Sequence, residues 1–410
     1  MRALQATPGG GRAVAGRRVA VTGVGVVAPC GIGREAFWAG LLGPAPTGER
    51  RVVDLDAAAI YGPKEVRRVD PFTQFAAVAA AEAVEDAGGV DALVGDPERA
   101  GVLVGTGIGG ITVFEEQHTV LMERGARRVS PFLVPMMMGN RAAADISMRY
   151  GMRGPCEATV TACAAGTHSV GNGARLVATG RCDVVLAGSA EAAMTPLSLA
   201  GFGNMTALST TGISRPFDAR RDGFVMGEGG AVLVLEDMER AIARGAQVYA
   251  ELAGAASTAD AHHITAPAPG GAGAVACMEL ALADADLQPA QITHINAHGT
   301  STPKNDAAEA EAIVKVFGSP GPAVTSIKGI TGHSLGAAGS LEAAALALSF
   351  AHRSIPPTAG WEVPDPGVSL DLVVGRPRSW EPGPALSNSF GFGGHNGTLV
   401  MVPAAGGGGA

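Results

Sequence analysis

The chain is short of aromatic residues, of charge and of cysteine pairs, and each shortage narrows what it can be. Aromatics make up 4% of its 410 residues and charged residues 17%. So few large side chains and so many small ones (60 glycines) imply helices and sheets packed with their backbones close together. The five cysteines, at 30, 156, 163, 182 and 277, are odd in number and scattered. With no C-x-x-C pair and no disulfide framework, a reducing, cytoplasmic compartment is the expectation. The longest apolar stretch, Leu341 to Ala351, carries Glu342 and is too short to span a bilayer. No continuous apolar segment marks a signal peptide near the N-terminus, so no membrane association is expected. A net charge of −8 argues against nucleic acid as a partner of the whole molecule, while leaving room for local basic patches. No metal-ligand spacing is evident. Zinc would need Cys163, His298, His333 and a carboxylate to converge, and would spoil the cysteine as a nucleophile.

What is present suits a large α/β core. At 47% hydrophobic, the chain is long enough for two or three domains or one duplicated unit. Arg18–Thr22 reads as a buried strand that enters a Gly-rich turn at Gly23–Ala28. A helix over 75–84, a strand at Val102–Val104 and the loop Gly105-Thr-Gly-Ile-Gly-Gly110 follow. Both Gly-rich loops resemble dinucleotide-binding turns. The first is followed by Pro29 and Gly31 with no acidic residue at the ribose offset, so turns lining a buried site are the better reading. Near Gln247 the order begins again: a strand at Val248–Leu252 and a Gly/Ala turn, a helix over 273–285, a strand at Ile292–Ile295. The expected organisation is a loose tail (1–17), a first half (18–246), a similar second half (247–403) and a Gly-rich tail (404–410).

Chemistry gathers where strands give way to helices. Thr159–Thr161 reads as a strand that stops at Cys163, ahead of the helix through Thr179. A thiol at that turn faces a helix N-terminus, which lowers its pKa from about 8.5 and supplies amides for an oxyanion. Taken alone, Cys163 is equally readable as a small buried cysteine. In the second half, Ile295-Asn-Ala-His298 leads through a polar turn to Thr302, an expected N-cap, and Pro303 at the first helical position. Lys328-Gly-Ile-Thr-Gly-His333 repeats the arrangement. Two histidines and a cysteine at three strand ends favour a site, because that is where α/β folds place theirs. Glu342, on an otherwise apolar helix, needs a partner, either Lys328 or a monovalent cation. Phe392, flanked by Gly391, Gly393 and Gly394, is a candidate gate; the alternative is a hairpin with Phe390 and Phe392 in the core. His168, His262 and His263 read as structural or entrance residues. Lys64, Arg67 and Arg68, with Arg124, Arg127 and Arg128, form small basic clusters able to dock an acidic partner.

Thr161-Ala-Cys-Ala-Ala-Gly166, Asn296-Ala-His-Gly-Thr-Ser-Thr302, Lys328-Gly-Ile-Thr-Gly-His333 and Asn388-Ser-Phe-Gly-Phe-Gly-Gly394 together resemble the β-ketoacyl-acyl-carrier-protein synthases of the thiolase-like superfamily. The likeness runs from about Arg18 to Val402 and is greatest to the elongating type II enzymes of bacterial fatty-acid synthesis. It implies a duplicated five-layer αβαβα fold and a homodimer. It also implies Cys163 as nucleophile, His298 and His333 at the decarboxylation site, Lys328 as electrostatic support and Phe392 as gate. The amides of Cys163 and Phe392 would form the oxyanion hole. Thr300 and Thr302 match positions that hold the carrier's phosphopantetheine; Ile108, Phe202 and Phe390 fall with the acyl-binding residues. Asn296, Ala297, Glu342, Ser387 and Asn388 match a structural Na or K site of some members. No cofactor is implied for catalysis beyond the phosphopantetheine that arrives on the carrier. The basic clusters, chiefly Lys64, Arg67, Arg68, Arg127 and Arg128, would dock that acyl carrier protein. Lys304, Leu133 and His395 depart from the usual residues, which leaves the acyl length open.

The implied reaction is acyl transfer to Cys163 followed by decarboxylative condensation with malonyl-carrier. The alternatives are a polyketide ketosynthase, a thiolase or carrier-independent synthase using a Cys/His pair, and a non-catalytic subunit that shapes chain length. The last class typically lacks the nucleophile.

Overall fold

The computed structural model describes residues 16–404, and the tails expected at 1–17 and 404–410 lie almost wholly outside them. The chain builds one design twice. Its first copy runs β1 (Val19–Ala28), α1 (Pro71–Asp86), β2 (Ala100–Gly105), α2 (Arg141–Tyr150), β3 (Cys156–Glu157), α3 (Ala165–Ala178), β4 (Val184–Glu191) and β5 (Gly229–Asp237). The second runs β6 (Ala250–Ala259), α4 (Ala272–Asp284), β7 (His294–Asn296), α5 (Pro303–Phe317), β8 (Ala323–Thr325), α6 (Ala338–His352), β9 (Ala385–Gly391) and β10 (His395–Val402).

Strand order is β3-β2-β4-β5-β1 in the first copy and β6-β10-β9-β7-β8 in the second, each the reverse of the other. In the first, β2 lies parallel to β3 and β4, while β5 is antiparallel to β4 and β1. The second repeats these senses strand for strand. The sheets join at one corner, where β1 meets β6 through Ala20–Glu251 and Val21–Ala250. Helices α1 and α2 cover one outer face, α4 and α5 the other, and α3 and α6 lie between the sheets. This is the duplicated five-layer αβαβα architecture.

The composition follows from that central layer. Every residue of α6 from Ala338 to Phe350 is buried, because a helix with a sheet on either side has no solvent face. Its near-pure Ala, Leu and Gly sequence lets both sheets approach. Where α3 and α6 cross, side chains vanish altogether. A methyl group at Gly166 would sit 2.4 Å from the Ser340 amide, and one at Gly339 would sit 2.5 Å from the Thr167 amide. Ser189 bonds Ser340 at 2.7 Å and Thr167 bonds Ser389 at 2.7 Å, tying the crossing to β4 and β9.

Two expected turns and one expected strand prove different. Gly23–Ala28 is the second part of β1: a methyl at Gly25 would lie 1.8 Å from the carbonyl oxygen of Ala79, so the glycines admit α1 against the strand instead of bending it. The Gly/Ala turn expected after Leu252 is likewise strand, β6 continuing to Ala259. Thr159–Thr161 forms no strand; β3 ends at Glu157, and the Thr159 carbonyl accepts the Thr106 amide at 3.1 Å.

Gly339→Ala is expected to destabilise the fold by about 1–3 kcal/mol, because backbone atoms must move to admit one methyl group. Gly95→Ala, which meets open space, should change little. Denaturant unfolding of the two variants provides the check.

Candidate active site

Both central helices begin at the same place. A short 3₁₀ turn, Ala162–Ala164, precedes α3, and its counterpart, Leu335–Ala337, precedes α6. Ala162 and Leu335 hold φ of 49° and 48°, a left-handed conformation costly for residues with a Cβ, which suggests that the surrounding packing imposes both turns. The first turn presents Cys163 and the second follows His333, so the Gly166–Gly339 contact brings the two together. His333 Nε2 lies 3.1 Å from Cys163 Sγ.

His298, at the end of β7, completes the set. Its ring centroid is 5.4 Å from that of His333, and Phe390 stands edge-on to it at 5.9 Å. Lys328 donates from Nζ to the His298 carbonyl at 2.7 Å and to His298 Nδ1 at 3.3 Å, and it pairs with Glu342. An ammonium has no acceptor, so Nδ1 must accept and the proton of a neutral His298 sits on Nε2. Burial first, then the Lys328 charge, hold both histidines well below the usual imidazole range, and His333 adds to the effect on His298. Both imidazoles are therefore neutral. His333 Nδ1 has no hydrogen-bond partner among the described residues, which leaves its ring free to take either tautomer.

Cys163 departs from expectation. Burial pushes its thiol up to about 11, more than the Phe392 amide, the Lys328 charge and its own amide pull it down; Glu191 adds to the rise. The helix N-terminus is present, but desolvation outweighs it. Phe392 itself is half-buried and follows β9, with Gly393 and Gly394 at φ 83° and 74°. Its amide faces the sulfur, an arrangement suited to holding an oxyanion on an atom bonded there.

These groups open into a cavity of about 430 Å³ lined by Cys163, His298, His333, Phe202, Ile108 and Phe392, among others. Thr300, Thr302, Phe390 and Lys304 also line it; Leu133 and His395 do not. Thr302 occupies the N-cap position of α5, yet its hydroxyl bonds Thr300 at 2.9 Å instead of capping the helix. The walls are largely apolar and the polar groups converge at one end, as a site for an acyl chain with a reactive head requires.

Residues 50–241 match the β-ketoacyl synthase N-terminal domain and residues 249–362 the C-terminal domain. The chain is 45% identical over 407 residues to a 3-oxoacyl-[acyl-carrier-protein] synthase 2 of Synechocystis sp., covering 94% of this chain and 98% of that one. It is 43% identical to a 3-oxoacyl-[acyl-carrier-protein] synthase 2 of Staphylococcus aureus, with the same coverage. The chain belongs to the β-ketoacyl synthase family. Among solved structures it is similar to the ishigamide ketosynthase/chain length factor (TM-score 0.89, 33% identity, 95% of this chain and 100% of that one). It is also similar to a type II polyketide acyl-carrier protein in complex with its ketosynthase bound to the hexaketide (TM-score 0.85, 33% identity, 95% and 100%).

Not every expected residue of this synthase joins the cavity. Lys64, Arg67, Arg68, Arg127 and Arg128 are exposed on the surface, where Arg68 stacks on Phe132 at 4.5 Å and draws the two basic segments together. Asn296, Ala297, Ser387 and Asn388 lie behind the histidines, fully buried. Asn296 donates to the Glu342 carbonyl at 3.0 Å; Asn388 turns its side chain to Thr398 and Met278. His168 bridges Thr161 and the Asn396 carbonyl, a structural role, while His262 and His263 are exposed.

Two buried carboxylates escaped the sequence reading. Glu309 accepts the amides of His298 at 2.8 Å and Gly299 at 2.7 Å, and so shapes the His298 turn; burial pushes it up to about 8. Glu191 accepts from Gly107 at 2.6 Å, Thr106 at 3.0 Å, Gly336 at 3.1 Å and Ile108 at 3.3 Å. The amides of the Gly105–Gly110 loop that resembled a phosphate cradle thus serve an internal carboxylate. The detectable signal was the pair Asp306 and Glu309, one helical turn apart on an inward face.

Alkylation of Cys163 by iodoacetamide should continue to accelerate from about pH 7 to about pH 10, since only the thiolate reacts and a thiol held near 11 ionises across that range. A rate already flat at about pH 8 would show that the helix dipole and the Phe392 amide outweigh burial.

Proposed function

We propose that the protein extends acyl chains by decarboxylative condensation with malonyl-acyl carrier protein, as a 3-oxoacyl-[acyl-carrier-protein] synthase of fatty-acid elongation. The observation that carries this reading is Cys163 within 3.1 Å of His333, with the neutral Nε2–H of His298 facing the same cavity.

In the first stage Cys163 attacks the acyl thioester on the carrier. Burial keeps the sulfur protonated, so the proton must leave as the bond forms; His333 Nε2 accepts it and passes it to the departing carrier thiolate. The amides of Cys163 and Phe392 hold the tetrahedral oxyanion, each such donor being worth about 3 kcal/mol. In the second stage malonyl-carrier loses carbon dioxide, and His298, together with His333 once its neutral ring has taken the Nε2–H tautomer, donates from Nε2 to the enolate oxygen. The enolate carbon then attacks the acyl-enzyme, and collapse of the adduct releases the β-ketoacyl-carrier and the Cys163 thiolate, which takes a proton from water to restore the resting thiol. Lys328 serves by keeping His298 neutral and its Nε2 protonated. Phe392, between flexible glycines, gates the malonyl position. Thr300 and Thr302 hold phosphopantetheine, while Ile108, Phe202 and Phe390 line the acyl path.

A monovalent cation suits the polar layer behind the histidines, where Asn296 Oδ1 is buried without a partner among the described residues. Asn296, Glu342 and Ser387, with the backbone at Ala297 and Asn388, would hold it, and its contribution would be structural. The working form is a homodimer. Exposed large apolar side chains fall mainly between Ile108 and Val160, a segment ending beyond the sheet-edge strand β3. All five cysteines are free, and among the described residues no helix is long and apolar enough to cross a membrane, which supports a cytoplasmic location. The polyketide alternative draws on the 33% identical ketosynthase structures; the 41–45% identical relatives favour fatty-acid elongation.

Cys163→Ala should abolish β-ketoacyl product while retaining some carbon dioxide release from malonyl-carrier, because the histidines act on malonate without the thiol. Parallel assays of the two products test this, and normal condensation would remove Cys163 from the mechanism. Replacing Lys64, Arg67 and Arg68 by Ala should raise the KM for carrier-bound substrate and flatten its salt dependence, since exposed charges chiefly steer association. An unchanged KM and salt response would place docking elsewhere.

A further inference from the structure

Arg50 is a buried cation that the reaction above does not use, and it lies against the backbone that carries His333. The residue is 3% exposed. Its amide donates to the Met226 carbonyl at 3.0 Å, and its carbonyl accepts from Glu228 at 3.2 Å. On the other side of the same segment, His333 donates to the Val225 carbonyl at 2.7 Å and accepts from Gly227 at 3.0 Å. Arg50, residues 225–228 and His333 thus lie side by side as three paired pieces of extended chain.

The Arg50 side chain closes this arrangement into a loop. Its Nε donates to the Ile330 carbonyl at 3.2 Å, and the two remaining guanidinium nitrogens donate to the carbonyls of Gly48 and Pro46. Its stem fills the space beneath Gly332: a methyl group there would sit 2.7 Å from Arg50 Cγ. Gly332 has φ 67°, a conformation that confers no rigidity of its own on the residue before His333. Each acceptor of the guanidinium is a backbone carbonyl, so the charge strengthens bonds to main chain instead of neutralising a carboxylate.

The His333 ring needs such a brace. Its Nδ1 makes no hydrogen bond among the described residues, and Phe224 packs edge-on at 5.2 Å without fixing rotation. Apart from its contact with Cys163, the ring has no polar anchor among the described residues, so its backbone decides where it stands. We infer that Arg50 is a positioning residue that fixes Ile330–His333 and thereby keeps the imidazole against Cys163. A planar fork of donors suits several carbonyls at once, which the single ammonium of lysine cannot reproduce.

The inference rests on the Cys163–His333 pairing, and alkylation of Cys163 reads that pairing without a carrier substrate. Arg50→Met keeps the stem and removes the donors. It should shift the pH profile of Cys163 alkylation by iodoacetamide upward, as the thiolate loses the His333 Nε2 proton. It should also lower kcat for condensation by roughly tenfold to a hundredfold with KM unchanged, the usual consequence of a misplaced catalytic group. Arg50→Lys should fall between the two. A folded Arg50→Met protein with the wild-type alkylation profile and kcat overturns the inference. So does a fall in Tm with normal alkylation below the transition, which marks a purely structural role. Should Arg50→Met not fold, Arg50→Lys decides on the same two readouts. An alkylation shift in a protein that fails to condense even as wild type would retain the brace and remove the proposed reaction.

Discussion

The backbone contact between α3 and α6 at Gly166 and Gly339 governs the rest of the molecule. Each helix starts from a 3₁₀ turn, and the crossing point is the second residue of each helix. Whatever stands at the two helix N-termini must then face each other. Cys163 meets His333 because of this geometry, and a side chain at either glycine would push the helices apart by more than the hydrogen bond between them tolerates. The same crossing requires small residues around it, which is why the Ala/Gly-rich segments that look featureless as sequence form the most constrained layer of the fold.

Burial is the second constraint, and it acts on the chemistry as much as on the packing. Lys328, Glu342, Glu309 and Glu191 are all removed from water within the catalytic half-layers. Desolvation pushes Glu342 up to about 7 and Glu309 up to about 8, against the hydrogen bonds and charges that favour ionisation. One cation placed beside two imidazoles makes protonating either of them unfavourable. The site therefore offers neutral N–H donors to a developing enolate instead of a fixed cation that would bind the malonyl carboxylate and resist its loss. The same burial denies Cys163 a resting thiolate. A buried nucleophile that ionises only as its bond forms is protected from adventitious alkylation and oxidation, at the cost of needing a base in contact with it.

Much of this was legible in the chain. Cys163, His298 and His333 stood out because each follows a β-rich run and precedes a helix, and the repeat of element order around residue 247 was visible without any sequence identity between the halves. The failures share a cause. Gly23–Ala28 and Gly254–Ala256 read as turns because glycine signals bending locally; here it signals the approach of a helix from another part of the chain. Cys163 read as a low-pKa thiol because a helix dipole is encoded nearby, whereas its desolvation depends on both sheets. Glu191 and Arg50 were invisible for the same reason, and Glu309 showed only in its spacing from Asp306. Their partners are backbone amides and carbonyls, which carry no residue identity for a sequence to reveal.

Duplication also explains how one fold holds three different candidate catalytic groups. The turns before α3 and α6 are equivalent in position and conformation, yet one presents Cys163 and the other, at the matching place, Gly336. A second side chain there would collide with the Gly107 amide 2.0 Å away, so only one of the two turns can bear a side chain at that place. The loops after β2 and β7 are equivalent as well. Each has two successive amides held by a buried carboxylate, Glu191 for Gly107 and Ile108, Glu309 for His298 and Gly299. The first of these loops contributes Gly107 and Ile108 to the cavity wall and the second contributes His298. A symmetric scaffold whose loop amides are held by buried carboxylates can exchange the side chains on those loops without disturbing the backbone beneath them, and that freedom lets the two halves of one chain contribute different groups to a single cavity.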